Sequence, residues 1–131
     1  MAKSKLQKKK DNCRSTYWKT KADSVWGKAV HNLNKQCLIN DGCAGQLEAH
    51  HLISRANTAT RHKIENGVLL CSKHHKWDNK LSAHGAPLAF AEFLQTNYPA
   101  KWHWCCEHKH EISKADYKTA YEELLEILGE E

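Results

Sequence analysis

Two pairs of potential metal ligands lie far apart in this sequence and restrict how the chain between them can fold. Cys37 and Cys43 stand at the two ends of a turn-rich segment, and Cys71 and His74 form a Cys-x-x-His after an apolar run. Three thiolates and one imidazole are a ligand set of tetrahedral structural zinc. One Zn²⁺ held by both pairs would join two distant segments of a small domain. Because the first pair is spaced more widely than Cys-x-x-Cys, unrelated buried thiols are the alternative.

The bulk composition is that of one globular domain. The chain has 131 residues, of which 40% are hydrophobic and 27% are charged, and this length suffices for a single core. We find no apolar run long enough to cross a membrane, and the basic N-terminus is not followed by the apolar segment of a secretory signal. Six cysteines accompany ten histidines. We therefore expect metal binding in a reduced cytoplasm rather than the disulfide framework of a secreted protein.

The charge is unevenly distributed along the chain. Residues 1–110 carry 18 lysines and arginines against 8 acidic residues, whereas residues 111–131 carry 2 against 7. A basic body with an acidic end indicates a polyanionic partner, with simple solubility as the alternative. Residues 1–14 are rich in lysine and nearly without apolar side chains, so we expect a disordered tail whose Lys8, Lys9 and Lys10 contact nucleic-acid phosphates.

The hydrophobic pattern predicts a mixed α+β domain over residues 15–131. Residues 47–53 and 67–70 are the expected strands, and the polar loop that joins them is too long for a tight hairpin. The expected helices lie at about residues 21–35, 72–80, 86–97 and 114–128. Asp116 and Ser113 are cap candidates for the last helix, and Gly129 is expected to end it.

A set of histidines and one asparagine extends across both strands and into the next helix. The segment EAHHLISRANTATRHKIENGVLLCSKHH runs through a predicted strand, loop, strand and helix. His51 lies on the first strand, Asn66 at the junction of the loop and the second strand, and His75 on the helix, and His50 precedes His51. Here the chain resembles the HNH (ββα-metal) endonucleases, and specifically their small phage-borne members, over about residues 37–94. The resemblance implies two antiparallel strands and a helix around one catalytic divalent metal, stapled by a structural zinc and flanked by further helices.

The resemblance also implies how these residues would hydrolyse DNA phosphodiester bonds. His51 matches the general base that deprotonates a water, a task suited to a side chain that titrates near neutral pH. His50 matches a metal ligand, as in the bacterial toxin nucleases that share the double histidine, and His75 matches the second ligand. Asn66 either ligates the metal or holds the long loop that orients His51, since the family shows both uses.

The third protein ligand of the catalytic metal departs from the toxin nucleases. Those enzymes carry another histidine one helical turn after the last, where this chain has Asn79. Asn79 would share a helix face with His75, but an amide is a weaker ligand, and His84 or Asp78 are alternatives. The identity of the catalytic metal therefore also stays open among Mg²⁺, Mn²⁺ and other transition metals, although imidazole ligands favour a transition metal.

Two arginines flank the loop beside His51. Arg55 and Arg61 could clamp the scissile phosphate of DNA through bidentate hydrogen bonds, or they could be ordinary solvated side chains. Farther along the chain, a second cluster of cysteines and histidines either binds a further metal or merely accompanies packed tryptophans. Its members are Cys105, Cys106, His108 and His110.

The predicted activity is that of a metal-dependent DNA endonuclease of the HNH type, located in the host cytoplasm if phage-encoded. A freestanding nuclease with one site is expected to nick DNA, and the sequence leaves open whether the protein is a monomer or a homodimer. The alternative is a catalytically inactive, zinc-stabilised nucleic-acid-binding module. Such a module would need the zinc ligands and lysines but not His51 or Asn66.

Overall fold

In the computed structural model, which describes residues 2–129, a two-stranded antiparallel sheet combines with several helices. The prediction of one domain extending to residue 131 therefore includes two residues, Glu130 and Glu131, outside the described part of the chain. The helices are α1 (Lys5–Asp11), α2 (Thr16–Asn34), α3 (Pro87–Asn97), α4 (Pro99–His108) and α5 (Tyr117–Leu128). The strands are β1 (Leu47–His51) and β2 (Gly67–Cys71), and two short turns of 3₁₀ and π helix cover Ile64–Asn66 and Lys73–Trp77.

The register of the sheet separates the two adjacent histidines. β1 and β2 pair from Leu47 opposite Cys71 to His51 opposite Gly67, so that His50 lies opposite Val68. Because directly opposed residues of an antiparallel pair project to the same face, His50 shares the face of Val68 and His51 shares the face of Gly67. β1 ends at His51, two residues earlier than the sequence predicts, and β2 extends one residue farther.

The first core lies on the face of the sheet that His51 shares. α2 contributes side chains spaced three and four residues apart, which is the pattern of one buried helical face. These side chains pack against Leu69 of β2 and Leu124 of α5, and the α2 members of the cluster are Val25, Trp26, Ala29 and Val30. α2 begins at Thr16 rather than near residue 21. Its first turn contacts the N-terminal segment through the bond from the Trp18 indole to the Lys10 carbonyl.

The second core lies on the opposite face of the sheet. Val68 and Leu70 of β2 pack there with Phe90 of α3, together with Cys37 and Cys71. β2 is buried at all five positions, as expected for a short apolar strand covered on both faces. The two zinc-ligand candidates in this cluster are thereby held in an apolar environment next to the sheet.

The last helix follows the prediction closely. The Asp116 side chain accepts a hydrogen bond from the Thr119 amide and caps the N-terminus of α5, and Gly129 ends the helix in a left-handed conformation with φ of 74°. Tyr117 and Leu124 are buried, so the face of this acidic helix that carries them packs inward. The helix begins at Tyr117, three residues later than expected.

The structure contains two helices that the sequence analysis did not predict. The N-terminal segment contains the seven-residue helix α1 in place of predicted disorder: the Ser4 side chain accepts from the Gln7 amide, and the Trp18 indole nitrogen donates to the Lys10 carbonyl. A cap and contacts with α2 thus order a segment that buries no side chain of its own. The other helix is α4, which Pro99 opens directly after α3, since proline is suited to the first helical turn.

No helix among residues 2–129 combines the length and the apolar character that a membrane span requires.

Candidate metal centres and active site

Cys37, Cys43, Cys71 and His74 come together in one cluster. The three sulfur atoms lie 3.7, 3.8 and 3.2 Å from His74 Nδ1, in the order Cys37, Cys43, Cys71. A tetrahedral Zn²⁺ with bonds of about 2.3 Å to sulfur and about 2.0 Å to nitrogen separates these ligand atoms by roughly 3.5 Å. All four ligand atoms lie within 4.8 Å of one another. The Cys₃His cluster predicted from the sequence is therefore formed, and its donor set fits a structural metal such as zinc.

A turn between Cys37 and Cys43 brings these two widely spaced cysteines close together. Asn40 and Gly42 adopt left-handed conformations with φ of 48° and 61°, which an asparagine and a glycine tolerate best. The Lys73 ammonium donates to the Gly42 carbonyl at 3.0 Å and ties this turn to the second ligand pair. Burial and the neighbouring thiols raise the pKa of Cys43 to about 11, and a bound cation would offset this by stabilising the thiolates.

A second cluster contains His50, His75 and His84. One ring nitrogen from each lies within 4.8 Å of the other two, and the ring centroids are 4.9 to 5.2 Å apart. Burial, followed by the neighbouring imidazoles, lowers the pKa of His50 to about 3. His50 is therefore neutral at physiological pH, and neutral imidazole is the form that ligates metals.

Glu48 orients one member of this cluster. Its Oε1 atom accepts a hydrogen bond of 2.8 Å from His75 Nδ1, which leaves Nε2 as the free nitrogen of that ring. Glu48 lies two residues before His50 on β1, so both side chains project to the same face of the strand. Carboxylates that hold the second nitrogen of a histidine in this way are typical of metal sites. Alternation along β1 is a signal from which Glu48 could have been predicted.

His84 joins the cluster because the chain folds back after the π turn. The amides of Ala83 and His84 donate to the carbonyls of His74 and His75 at 2.8 and 2.9 Å. The turn Lys73–Trp77 ends before Asn79, which is exposed in the following bend. The helical face that Asn79 was expected to share with His75 is therefore not formed, and His84 is the third imidazole of the cluster.

His51 lies on the other side of β1 and stacks on Trp26. The two rings are 3.8 Å apart between centroids and inclined by only 10°. His51 Nε2 donates to the Arg61 carbonyl at 2.9 Å, and because a carbonyl can only accept, Nδ1 is left without a proton. Burial lowers the pKa of His51 to about 4, although the bond to the carbonyl opposes this shift. The ring is thus neutral at physiological pH with Nδ1 able to accept a proton.

Asn66 braces the loop rather than facing a metal. Its side chain is fully buried, and its Oδ1 atom accepts from the Ile53 amide at 2.6 Å. Its Nδ2 atom donates to the carbonyls of Ile53 and Thr60 at 3.0 and 3.2 Å. Both ends of the amide are therefore occupied by backbone, and of its two expected uses the contacts favour holding the loop that follows His51.

The two arginines have different environments. Arg55 is exposed and lines a groove of about 700 Å³ that also contains His50, His51 and His75. Arg61 instead forms an ion pair with Asp23 through Nε and one terminal nitrogen, and its other terminal nitrogen donates to the Arg55 carbonyl. Since every guanidinium nitrogen of Arg61 has a protein partner, its contacts do not support the expected phosphate clamp. Arg55 is free for that role.

Sequence reasoning missed the supporting role of two residues on α2. Neither Asp23 nor Trp26 was identified as a candidate site residue from the sequence. The structure places Asp23 against Arg61 and His62, and Trp26 against His51. Neither contact leaves a periodic signal, because the partners lie about 25 to 40 residues farther along the chain, one at the end of β1 and the others in the loop that follows it.

The second group of cysteines and histidines, for which metal binding was one of two alternatives, does not form a metal-ligand cluster within the described residues. Groups of three or more potential metal ligands in residues 2–129 comprise only the Cys₃His and three-histidine clusters. His108 stacks on Trp104 with centroids 4.6 Å apart and contacts Glu111, which agrees with the alternative of aromatic packing.

The lysines expected to contact nucleic-acid phosphates lie at the end of α1. Lys8 and Lys9 are exposed there, and Lys10 is half-buried beside Tyr17.

Comparison of the chain with models of protein families, with curated proteins and with solved structures found no match.

Proposed function

We propose that this protein is a metal-dependent DNA endonuclease of the HNH type, which hydrolyses phosphodiester bonds and nicks its substrate. One observation carries the proposal: an oriented, unprotonated imidazole and a three-histidine cluster line the same groove. His51 contributes the first, and His50, His75 and His84 form the second. A water-activating base beside a metal-ligand cluster is the arrangement that phosphodiester hydrolysis requires.

His51 is the proposed general base. Its Nδ1 atom accepts a proton from the attacking water, while the bond from Nε2 to the Arg61 carbonyl prevents the ring from turning. The stacked Trp26 ring limits movement of the His51 ring perpendicular to its own plane. Positioning of this kind reduces the entropy that would otherwise be lost on reaching the transition state.

The three histidines are the proposed ligands of the catalytic metal. When bound there, a divalent cation stabilises the negative charge that develops on the phosphate and the leaving oxygen. Neutral His50 and the Glu48-oriented His75 supply nitrogen donors, and His84 completes one side of a coordination sphere. An all-imidazole set favours Mn²⁺ or another transition metal over Mg²⁺, which prefers oxygen ligands.

The remaining parts of the fold support a ββα-metal assignment. β1, β2 and the π turn Lys73–Trp77 carry the base and two of the proposed ligands, in the order that the HNH resemblance implies. π-helical turns occur frequently at functional sites. The Cys₃His cluster anchors the start of this turn through His74, next to His75. Arg55 and the lysines of α1 are the proposed contacts with DNA phosphates.

The second candidate function is a zinc-stabilised nucleic-acid-binding module without activity. The Cys₃His cluster and the basic charge favour it equally well. It gives no reason, however, for the Glu48–His75 bond or for the convergence of His50 and His84 on that ring. We therefore place it behind the endonuclease.

Incubation of supercoiled plasmid with the full-length, zinc-loaded protein and one divalent metal at a time tests the proposal. We expect nicked plasmid with Mn²⁺ or another transition metal. His84→Ala should lower cleavage at limiting metal, with partial recovery as metal is raised. His31→Ala, which removes an exposed histidine of α2, is the matched control and should cleave like the wild type. Binding of plasmid without cleavage in any metal would favour the binding module.

A further inference from the structure

We propose that Asp23 of α2 is a positioning residue that fixes the tautomer and orientation of His51, acting through Arg61. The inference rests on the proposed function, because it assigns Asp23 a purpose in the chemistry of that site. Within the described residues Asp23 makes no hydrogen bond to His51. The orientation of the His51 ring therefore depends on Asp23 through the loop that Asp23 holds.

The Asp23 carboxylate holds two consecutive residues of that loop. Arg61 donates through Nε at 2.9 Å and through a terminal nitrogen at 2.8 Å, one bond to each carboxylate oxygen. His62 donates through Nε2 at 2.6 Å. The side chains of Arg61 and His62 are only 12% and 6% exposed, whereas that of Asp23 is 39% exposed, so the donors are buried beneath a carboxylate that still reaches water. A bidentate arginine–carboxylate pair defines geometry as well as adding energy.

Arg61 transmits this constraint to the proposed base. The Arg61 carbonyl is the acceptor for His51 Nε2–H at 2.9 Å. The same residue's remaining terminal nitrogen donates to the Arg55 carbonyl at 3.0 Å and closes the loop upon itself. With all three guanidinium nitrogens bonded, the Arg61 side chain restrains its own backbone and therefore the carbonyl that His51 uses. The partner of one ring nitrogen decides which nitrogen carries the proton.

Asp23 and Trp26 act from one face of the same helix. They are three residues apart on α2, which places them side by side. The Trp26 ring stacks on His51, and its Nε1 atom donates to the Lys63 carbonyl at 2.9 Å. α2 thus holds residues 61–63 by side-chain bonds on both sides of the carbonyl that His51 uses. An ion pair that only stabilised the fold would not need these contacts to surround the Arg61 carbonyl, which accepts the hydrogen bond from His51.

Imidazole ¹⁵N NMR of the full-length, zinc-loaded protein tests the inference without requiring activity. The His51 signals are assigned from a His51→Gln variant. At neutral pH the wild type should show His51 protonated at Nε2. In Asp23→Asn we expect a mixture with the Nδ1-protonated form. Arg61→Lys keeps the positive charge but loses the planar fork, so it should show the same mixture. Glu92→Gln, which removes a negative charge from an exposed position of α3, is the control and should match the wild type.

Cleavage kinetics supply the second readout. Loss of an outer-shell partner typically costs about 10- to 100-fold, so kcat of Asp23→Asn should fall by that factor while KM changes little. A wild-type tautomer together with wild-type kcat in folded Asp23→Asn and Arg61→Lys would overturn the inference. Failure of the proposed function looks different. In that case the wild type cleaves no DNA in any metal, and the NMR comparison still decides whether Asp23 positions His51.

Discussion

Replacing Gly67 by alanine should destabilise the protein through a contact that can be measured directly in the structure. A Cβ atom at this position would lie 2.4 Å from Val30 Cγ2 and 2.9 Å from Trp26 Cζ2. Ordinary van der Waals contacts at such positions are 3.4–4 Å, so Val30 must move by about 1 Å. Val30 and Trp26 are 0% and 3% exposed and have little free space. Overpacking of this kind typically costs about 1–3 kcal/mol of unfolding free energy.

The same substitution should also impair the site, because Gly67 lies directly opposite His51. Displacing Trp26 disturbs both the ring that stacks on His51 and the bond from its Nε1 atom to Lys63. A misplacement of about 1 Å in an active site can cost up to about 100-fold in rate. We therefore expect the cleavage rate of Gly67→Ala to fall by more than the loss of folded protein alone would explain.

Urea unfolding followed by circular dichroism measures the first effect, and plasmid nicking measures the second. Gly27→Ala is the matched control, since a Cβ at that position of α2 meets no atom within 4 Å. Alanine in a helix interior should stabilise the protein by roughly 0.5–1 kcal/mol relative to glycine. Equal urea midpoints for wild type and Gly67→Ala, with unchanged nicking, would refute the packing of α2 against this end of the sheet.

Three further predictions concern the metal, the DNA and the ion pair. Metal analysis of purified protein should find about one zinc per chain, and Cys71→Ser should lower the melting temperature whereas exposed Cys106→Ser should not. Replacing the three lysines at positions 8–10 by glutamine should flatten the salt dependence of DNA binding by up to about 0.9 for each phosphate that is no longer neutralised. Because Arg61 and His62 hold the pKa of Asp23 well below its usual value of 3.8 despite burial, its stabilisation is present above that value and is lost as pH falls through the lower folded pKa. The melting-temperature gap between wild type and Asp23→Asn should therefore be widest near neutral pH and shrink below pH 4, and a gap that grew on acidification would contradict this sign.

The parts that the sequence predicts well are those governed by local pattern. The two zinc-ligand pairs each lie within one short segment, so their spacing indicates a site before the fold is known. β2 and α5 were found from a short apolar run and from an amphipathic face with recognisable caps. In these cases residues close in sequence carry the physical requirement themselves.

The parts that the sequence missed or left open depend on the path of the chain between elements, and the choice among Asn79, His84 and Asp78, which it left open, is one of them. His84 reaches His50 and His75 because Ser82 holds a bend: its hydroxyl donates to the Asp78 carbonyl and accepts from the Gly85 amide. A Cβ at Gly85 would approach within 2.6 to 2.9 Å of the atoms of this bend. No periodicity marks such a return, and a helical continuation to Asn79 was the simpler expectation.

The supporting partners of the proposed base were missed for a related reason. Asp23 and Trp26 satisfy the requirements of an ordinary amphipathic helix, so nothing in α2 alone distinguishes them from surface and core residues. Their partners, the Arg61 side chain and the His51 ring, become neighbours only after α2 packs on the sheet. Tertiary contacts of this kind decide the role of Arg61 as well, which the sequence left divided between phosphate clamp and solvated side chain.

The most direct test of the proposed chemistry is the cleavage rate of His51→Ala at saturating plasmid and saturating Mn²⁺. A general base contributes about 100-fold or more to rate, and His51 ligates neither proposed metal. The account therefore predicts a rate at least about 100-fold below the wild type, with unchanged zinc content, plasmid affinity and Mn²⁺ affinity. A His51→Ala protein that cleaves at the wild-type rate under these conditions would contradict the account.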